Sequence, residues 1–272
     1  MLTFPNCKIN IGLFVTEKRK DGFHNIESVF YPVPWFDALE IIESDTLSIQ
    51  ISGQDIPGNA TTNLCLRAWH LLKKDFKALP PVSVYLHKVI PTGAGLGGGS
   101  SNGATMLQLL NQKFNLLISH NQLMNYAAML GSDCPFFIEN HPCLATGRGE
   151  ILTPIPFSLK GFHLVLVNPG FHIATPWAFK QITPTAAIHH WEKVNWKQPE
   201  TWHKSGLSNV FQPSVVKEHP ALQKIVDVLY KQGAAYVSMS GSGSTFYGIF
   251  DQEPSVLPLL FPPEYLIKNL PL

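Results

Sequence analysis

No apolar run in the 272 residues approaches the roughly 20 that a membrane-spanning helix needs. The first residues, "MLTFPNCKINIGLFV", put no basic stretch ahead of their apolar run, and Lys8 and Asn10 interrupt it, so they make a poor signal peptide. Charge of one sign is also missing. Lys and Arg number 20 against 19 Asp and Glu, a formal net charge of +1. That balance argues against a general nucleic-acid binder and against a membrane-surface binder, since both need a basic excess. Cysteine is scarce. Cys7, Cys65, Cys134 and Cys143 form no CxxC and no zinc-knuckle spacing. The expectation is four reduced thiols in a soluble, cytoplasmic protein. Cys134, His141 and Cys143 make at most a metal corner that lacks a fourth ligand, so no metal ligand is assigned. His189 and His190, adjacent in sequence, read as surface residues. There is no internal repeat, and nothing decides between monomer and homodimer.

What is present is ample core material, with 45% of residues hydrophobic. Cys7, Ile9, Ile11 and Leu13 alternate with Lys8, Asn10 and Gly12. This is the pattern of a half-buried strand, with Lys8 and Asn10 on the face away from the apolar set. "KRKDGFHNIESVF" carries Asp21-Gly22 between strand-like runs, which predicts a β-meander. In "TTNLCLRAWHLLKK" a helix follows a cap at Thr61, Thr62 or Asn63. "VSVYLHKVI" is a strand, and helices are predicted from about Ser101 to Asn115 and from Ser119 to Leu130. Ser119 and Gln122 form a capping box for the second, and Gly131 stops it. "FHLVLVNPG" is a buried strand, "HPALQKIVDVLYKQG" a helix, and "AYVSMSGSGSTFYGIF" two strands around a loop of small residues. The order of elements implies an α+β protein of two domains meeting near residue 155.

Between a strand and a helix lies "IPTGAGLGGGSSNGATMLQLL". A flexible linker is disfavoured by the tight bounding elements and by Pro91. Gly93, Gly95 and Gly98 match G-x-G-x-x-G. The ribose-binding acid expected about 20 residues on is absent, and the fold before the motif is a meander. A Walker P-loop fails too, because Gly99 stands where its lysine should be. An anion cradle remains the favoured reading. Glycines let backbone N–H groups crowd a phosphate, the following helix adds about half a positive charge at its N-terminus, and Ser100 or Ser101 offers a hydroxyl for phosphate or magnesium. On residues alone, Asp133 reads as a plain helix-capping aspartate and Lys8 as a solvated strand lysine.

"PTGAGLGGGSS", Pro91 to Ser101, resembles the phosphate loop P-x-x-x-G-L-G-S/G-S-S of the GHMP kinase superfamily. "NCKINIGLFV", "RKDGFHNIESVF", "LGSDCPFF", "GRGEILTPI" and "SGSGSTFYGIF" resemble, in order, five further segments of one branch of that family. The "DGFH" element separates that branch from mevalonate, homoserine and galactose kinases. The resemblance implies an N-terminal domain like domain 2 of ribosomal protein S5, residues 1–155, binding ATP. It implies a ferredoxin-like C-terminal domain, residues 156–272, binding substrate. The implied reaction is ATP-dependent phosphorylation of the 2-hydroxyl of a cytidyl-diphospho-methylerythritol, on the non-mevalonate route to isoprenoid precursors, with Mg²⁺ whose ligands are not assigned. ATP would be held by Pro91, Thr92, Gly93, Ala94, Gly95, Leu96, Gly97, Gly98, Gly99, Ser100 and Ser101. Asp133 would be the general base and Lys8 its catalytic partner. Phe23 and Phe179 would sandwich cytosine, with His24 hydrogen-bonding it. Asn10 would hold the acceptor hydroxyl, and Thr175 would contact the diphosphate. The chain departs from the family in two places. Phe23 replaces a tyrosine and so lacks its hydroxyl. Val210 and Gln212 replace two acids, which are expected to be structural.

Overall fold

The computed structural model describes residues 1–54, 62–185, 191–255 and 257–272. Thr61 and the His189–His190 pair therefore lie outside the described residues. Two compact units interleave along the chain. The first comprises Met1–Lys8, Pro34–Thr92 and Gly97–His141; the second comprises Ile9–Val33, Gly93–Leu96 and Pro142–Leu272.

The first unit carries a four-stranded sheet in the order β1-β4-β6-β5, built from β1 (Leu2–Thr3), β4 (Ala38–Glu43), β5 (Ser48–Gly53) and β6 (Val82–Lys88). β5 joins β6 in parallel, a crossover that the patterns above do not single out. Helix α2 (Gly98–Lys113) lies against α1 (Leu64–Asp75), α3 (His120–Leu130), α4 (Cys134–Glu139) and β4. Its face carries Ala104, Met106, Leu107 and Leu110, all buried. Fully burying a side chain of leucine or methionine size contributes about 1.5–3 kcal/mol. Asn63 is the cap of α1: its side chain accepts from the Cys65 amide at 2.9 Å. The capping box of α3 forms as read, and Gly131 ends that helix.

Helix α2 starts at Gly98, three residues before the predicted Ser101. Two glycines and a serine are poor helix formers. Here Gly97 takes a left-handed turn at the cap, φ 70°, and Gly98 packs closely against Ile90 and Lys88. A Cβ on Gly98 would meet Ile90 Cγ2 at 2.9 Å and Lys88 Nζ at 3.2 Å.

The second unit holds two sheets. One, in the order β2-β3-β7-β8, joins β2 (Asn6–Lys18), β3 (His24–Phe36), β7 (Cys143–Thr146) and β8 (Ile151–Pro154); only the ends of β2 and β3 belong to the first unit. The other is fully antiparallel, β10-β11-β9-β12, with β9 (His163–Asn168), β10 (Tyr236–Met239), β11 (Phe246–Phe250) and β12 (Leu266–Pro271). Helix α7 (Gln223–Lys231) packs on β10 and β11.

β2 is not half-buried as its alternation suggests. Every residue from Asn6 to Val15 is buried, so Lys8 and Asn10 are covered as fully as the apolar set. A period of two sorts residues onto faces, but it does not say what covers each face. All four cysteines are free and buried. Burial pushes the Cys65 and Cys134 thiols up to about 12, and Cys7 higher still. No three His, Cys, Asp or Glu side chains among the described residues are grouped so that they could hold a metal ion, and no described helix is long and apolar enough to cross a membrane.

Candidate active site

In the first unit, Lys8, the start of α2 and Asp133 converge. Asp133 stands at the N-cap position of α4, yet its backbone is already helical (φ −86°, ψ −12°) and its side chain caps nothing. The carboxylate instead faces Lys8, with Nζ to Oδ2 at 3.3 Å. The Lys8 side chain is 3% exposed and that of Asp133 32%. The cation is thus enclosed while the carboxylate can still be reached. Both residue-only readings, the capping aspartate and the solvated lysine, are corrected by this pair. A buried ammonium is costly to desolvate, and the Asp133 carboxylate offsets part of that cost. The wall beside Lys8 is Gly97: a Cβ there would meet Lys8 Cε at 3.2 Å and Phe137 Cζ at 2.9 Å. Helix α2 also packs on α4, and the Ser100 side chain works against the upward push that burial gives the Cys134 thiol. Ser101 is 1% exposed, so Ser100, half-buried, is the serine whose hydroxyl is nearer the surface.

The middle of the glycine stretch, Gly93–Leu96, belongs to the second unit. The small-residue loop after β10 backs it. The Ser240 hydroxyl donates to the Gly95 carbonyl at 2.8 Å, and the Asn10 amide donates to Ser240 Oγ at 3.3 Å. His172 Nδ1 donates to the Gly93 carbonyl at 2.8 Å. Gly95 sits at φ +80°, and a Cβ would lie 2.0 Å from the Ser240 carbonyl oxygen. Gly95→Ala is therefore expected to cost about 2–4 kcal/mol, the left-handed penalty plus overpacking against backbone. Gly99→Ala meets nothing within 4 Å and should leave stability equal or higher. Urea denaturation of the two variants checks this, and equal losses would contradict it.

The remaining candidates lie in the second unit. The His24 and Phe179 rings are stacked, centroids 4.6 Å apart at 19°. Phe179 sits on α5 (Thr175–Lys180) and also meets the edge of Phe211. Burial and the nearby Lys18 hold His24 below its ordinary pKa, which favours the neutral ring. Phe23 is 51% exposed at the Asp21-Gly22 turn. The Thr175 hydroxyl hydrogen-bonds Ser242 at 3.0 Å. The Asn10 amide donates to Ser28 at 2.9 Å, and Ser28 donates to the Gly12 carbonyl at 2.6 Å. Gln212 accepts from the Met239 amide at 2.9 Å, and Asn209 donates to the Met239 and Gly241 carbonyls. Gln212 thus ties α6 (Gln212–Glu218) to the end of β10.

The sequence patterns miss a buried polar cluster in the first unit. Asp37, 1% exposed, ion-pairs with Lys88, 2% exposed. It also accepts from Asn102 Nδ2 at 2.9 Å and from the Val89 and Ile90 amides at 2.7 and 2.9 Å. Lys88 also reaches Asn102 Oδ1 at 3.2 Å. One carboxylate so fastens the strand entering the glycine stretch and the helix leaving it. The sequence shows only an acid in the link between β3 and β4 and a lysine at the end of β6.

Two family models match the chain. They are the GHMP kinases N terminal domain over residues 63–140 and the GHMP kinases C terminal over residues 197–256. The chain belongs to the GHMP kinases. It is similar to the 4-diphosphocytidyl-2-C-methyl-D-erythritol kinase of Bacteroides fragilis, 48% identical over 265 residues and 96% of each chain. It is 50% identical over 260 residues to the enzyme of the same name from Bacteroides thetaiotaomicron, over 93% of each chain. Among solved structures it resembles a 4-(cytidine 5'-diphospho)-2C-methyl-D-erythritol kinase at 28% identity, TM-score 0.76, over 92% of this chain and 90% of that one.

Proposed function

We propose that the protein transfers the γ-phosphoryl group of ATP to the 2-hydroxyl of 4-diphosphocytidyl-2-C-methyl-D-erythritol, in the non-mevalonate route to isoprenoid precursors. Identity near one half over almost the whole chain supports the substrate. The Lys8–Asp133 pair beside Gly97 carries the chemistry. Asp133 takes the proton as the hydroxyl oxygen attacks the γ-phosphorus, and ADP departs with the bond it breaks. Lys8 orients Asp133 and offsets charge on the transferring group. Phosphoryl transfer asks a protein mainly for position and charge stabilisation, which is what this pair and a helix end supply.

The phosphates lie along Pro91–Ser101, on the backbone N–H groups at the start of α2, a helix of 16 residues. The open space over Gly99 suits an oxygen-rich group. Magnesium would neutralise phosphate charge. It commonly keeps waters and takes few protein ligands, so Ser100 fits it and a carboxylate cage is not needed. Phe23 and Phe179 flank cytosine, His24 bonds its edge, Asn10 orients the acceptor hydroxyl and Thr175 meets the diphosphate. This requires His24 to give up the Phe179 face it covers. We assign residues 1–155 to an ATP-binding domain like domain 2 of ribosomal protein S5, and residues 156–272 to a ferredoxin-like substrate domain. The antiparallel order β10-β11-β9-β12 supports the second assignment. We place the protein in the cytoplasm, acting on small molecules.

Turnover of ATP should require the cytidine-linked alcohol, and calorimetry should show cytidine bound in preference to guanosine. Equal affinity for the two nucleosides, or faster phosphorylation of mevalonate or homoserine, would overturn the assignment.

A further inference from the structure

Arg148 belongs to no role described so far. It lies in the turn between β7 and β8, where Gly147 and Gly149 take positive φ. The Ile26 amide of β3 donates to the Gly147 carbonyl at 2.7 Å, which fixes the turn beside the strand that begins at His24. Glu150 grips Arg148 twice. Its carboxylate accepts from the Arg148 backbone amide at 2.6 Å and from Nε at 3.2 Å. The guanidinium carbon then sits 5.0 Å from the centroid of the Phe23 ring. The two terminal nitrogens make no hydrogen bond with any described residue. All of these residues belong to the second unit.

We infer that Arg148 is a specificity-determining residue for the pyrimidine base: it holds the Phe23 ring in stacking position and donates from a terminal nitrogen to an acceptor atom on the edge of the base. The inference rests on the proposed cytidine-linked substrate. Phe23 is half exposed in a turn, and the planar guanidinium is the group that braces its ring. A tyrosine would bring its own polar handle. Here the donor comes from the next layer. Recognition of phosphate is the competing use of an arginine, but Glu150 pairs with this one, and Asp21 at the neighbouring turn is taken up by Arg19. A guanidinium already paired through Nε with a carboxylate suits a neutral carbonyl or ring nitrogen better than a diphosphate. The directional N–H groups remain available for it.

The test is calorimetry of the full chain with cytidine, cytidine monophosphate and cytidine diphosphate. Arg148→Ala should raise Kd for all three by the same factor, about five- to tenfold, the size of one stacking contact plus one hydrogen bond. Arg148→Lys keeps the charge at the turn and guards against a folding defect. It should lose most of the same affinity, because an ammonium is not planar. In a Phe23→Leu background, Arg148→Ala should have less than half its effect. Unchanged cytidine affinity in Arg148→Ala, or a loss confined to the phosphorylated ligands, would overturn the inference. A wild-type protein that fails to prefer cytidine over guanosine would instead overturn the substrate reading and this inference with it.

Discussion

Asp133→Asn is expected to lower kcat by about 10²–10⁴-fold, the usual worth of a positioned general base. ATP affinity should stay within a few-fold of the parent. The substitution keeps the shape of the side chain and one hydrogen-bond acceptor, so the start of α4 should not shift. What it removes is the proton acceptor and the charge that faces Lys8 at 3.3 Å. The ammonium is enclosed, and its field then falls on the phosphates without its counterpart. ATP binding is thus expected to be equal or slightly tighter while turnover collapses. Steady-state kinetics together with nucleotide calorimetry separates the two. Near-normal turnover would remove Asp133 from the role of base. Loss of ATP binding in step with turnover would place it in the nucleotide site instead.

The largest effect on stability is expected at Asp37. Asp37→Asn leaves the Lys88 ammonium buried without its carboxylate, and breaking such a pair typically costs about 3–5 kcal/mol. The amide keeps one oxygen for the Val89 and Ile90 N–H groups, and its NH₂ then faces Lys88 Nζ and Asn102 Nδ2, two donors that now find an acceptor. Replacing both partners, as in Asp37→Leu with Lys88→Met, should recover most of the loss, because an apolar pair of similar volume needs no desolvated charge. Chemical denaturation of the single and double variants measures both. If the double variant is as weak as Asp37→Asn, the cluster stabilises through its hydrogen bonds to backbone and not through the ion pair. The catalytic reading is untouched by that outcome.

Local order was legible in the sequence where the cause is local. The capping box at Ser119 and Gln122 needs only four residues to satisfy its own backbone, and it forms. The strand at β9 and the hairpin of β10 and β11 follow from apolar runs and a loop of small residues. The glycine stretch announced a backbone that something must approach closely. In the structure part of what approaches is the chain itself: the Ser240 carbonyl against Gly95 and Lys8 against Gly97. Partners far apart in sequence were not legible. Asp37 and Asn102 are 65 residues apart, and nothing in either local pattern points to the other. Asp133 looked like a cap because its neighbours are those of a helix start. Only the fold shows that its carboxylate turns to a lysine 125 positions earlier, 133 − 8. The exposed face implied for Lys8 failed for the same reason. The resemblance supplied the roles proposed for Lys8 and Asp133 but not the one inferred for Arg148, whose position on Phe23 depends on a turn between two later strands.

The state of the cysteines has a practical side. Burial denies reagents access to all four thiols, and it pushes those of Cys7, Cys65 and Cys134 up, away from the reactive thiolate. The native protein is in effect blank to maleimides and to mild oxidants. A cysteine placed at Met129, exposed on α3, would be a single reactive handle without removal of any native one. A fluorophore there reports from the unit that holds Lys8 and Asp133, and its signal comes from one defined position.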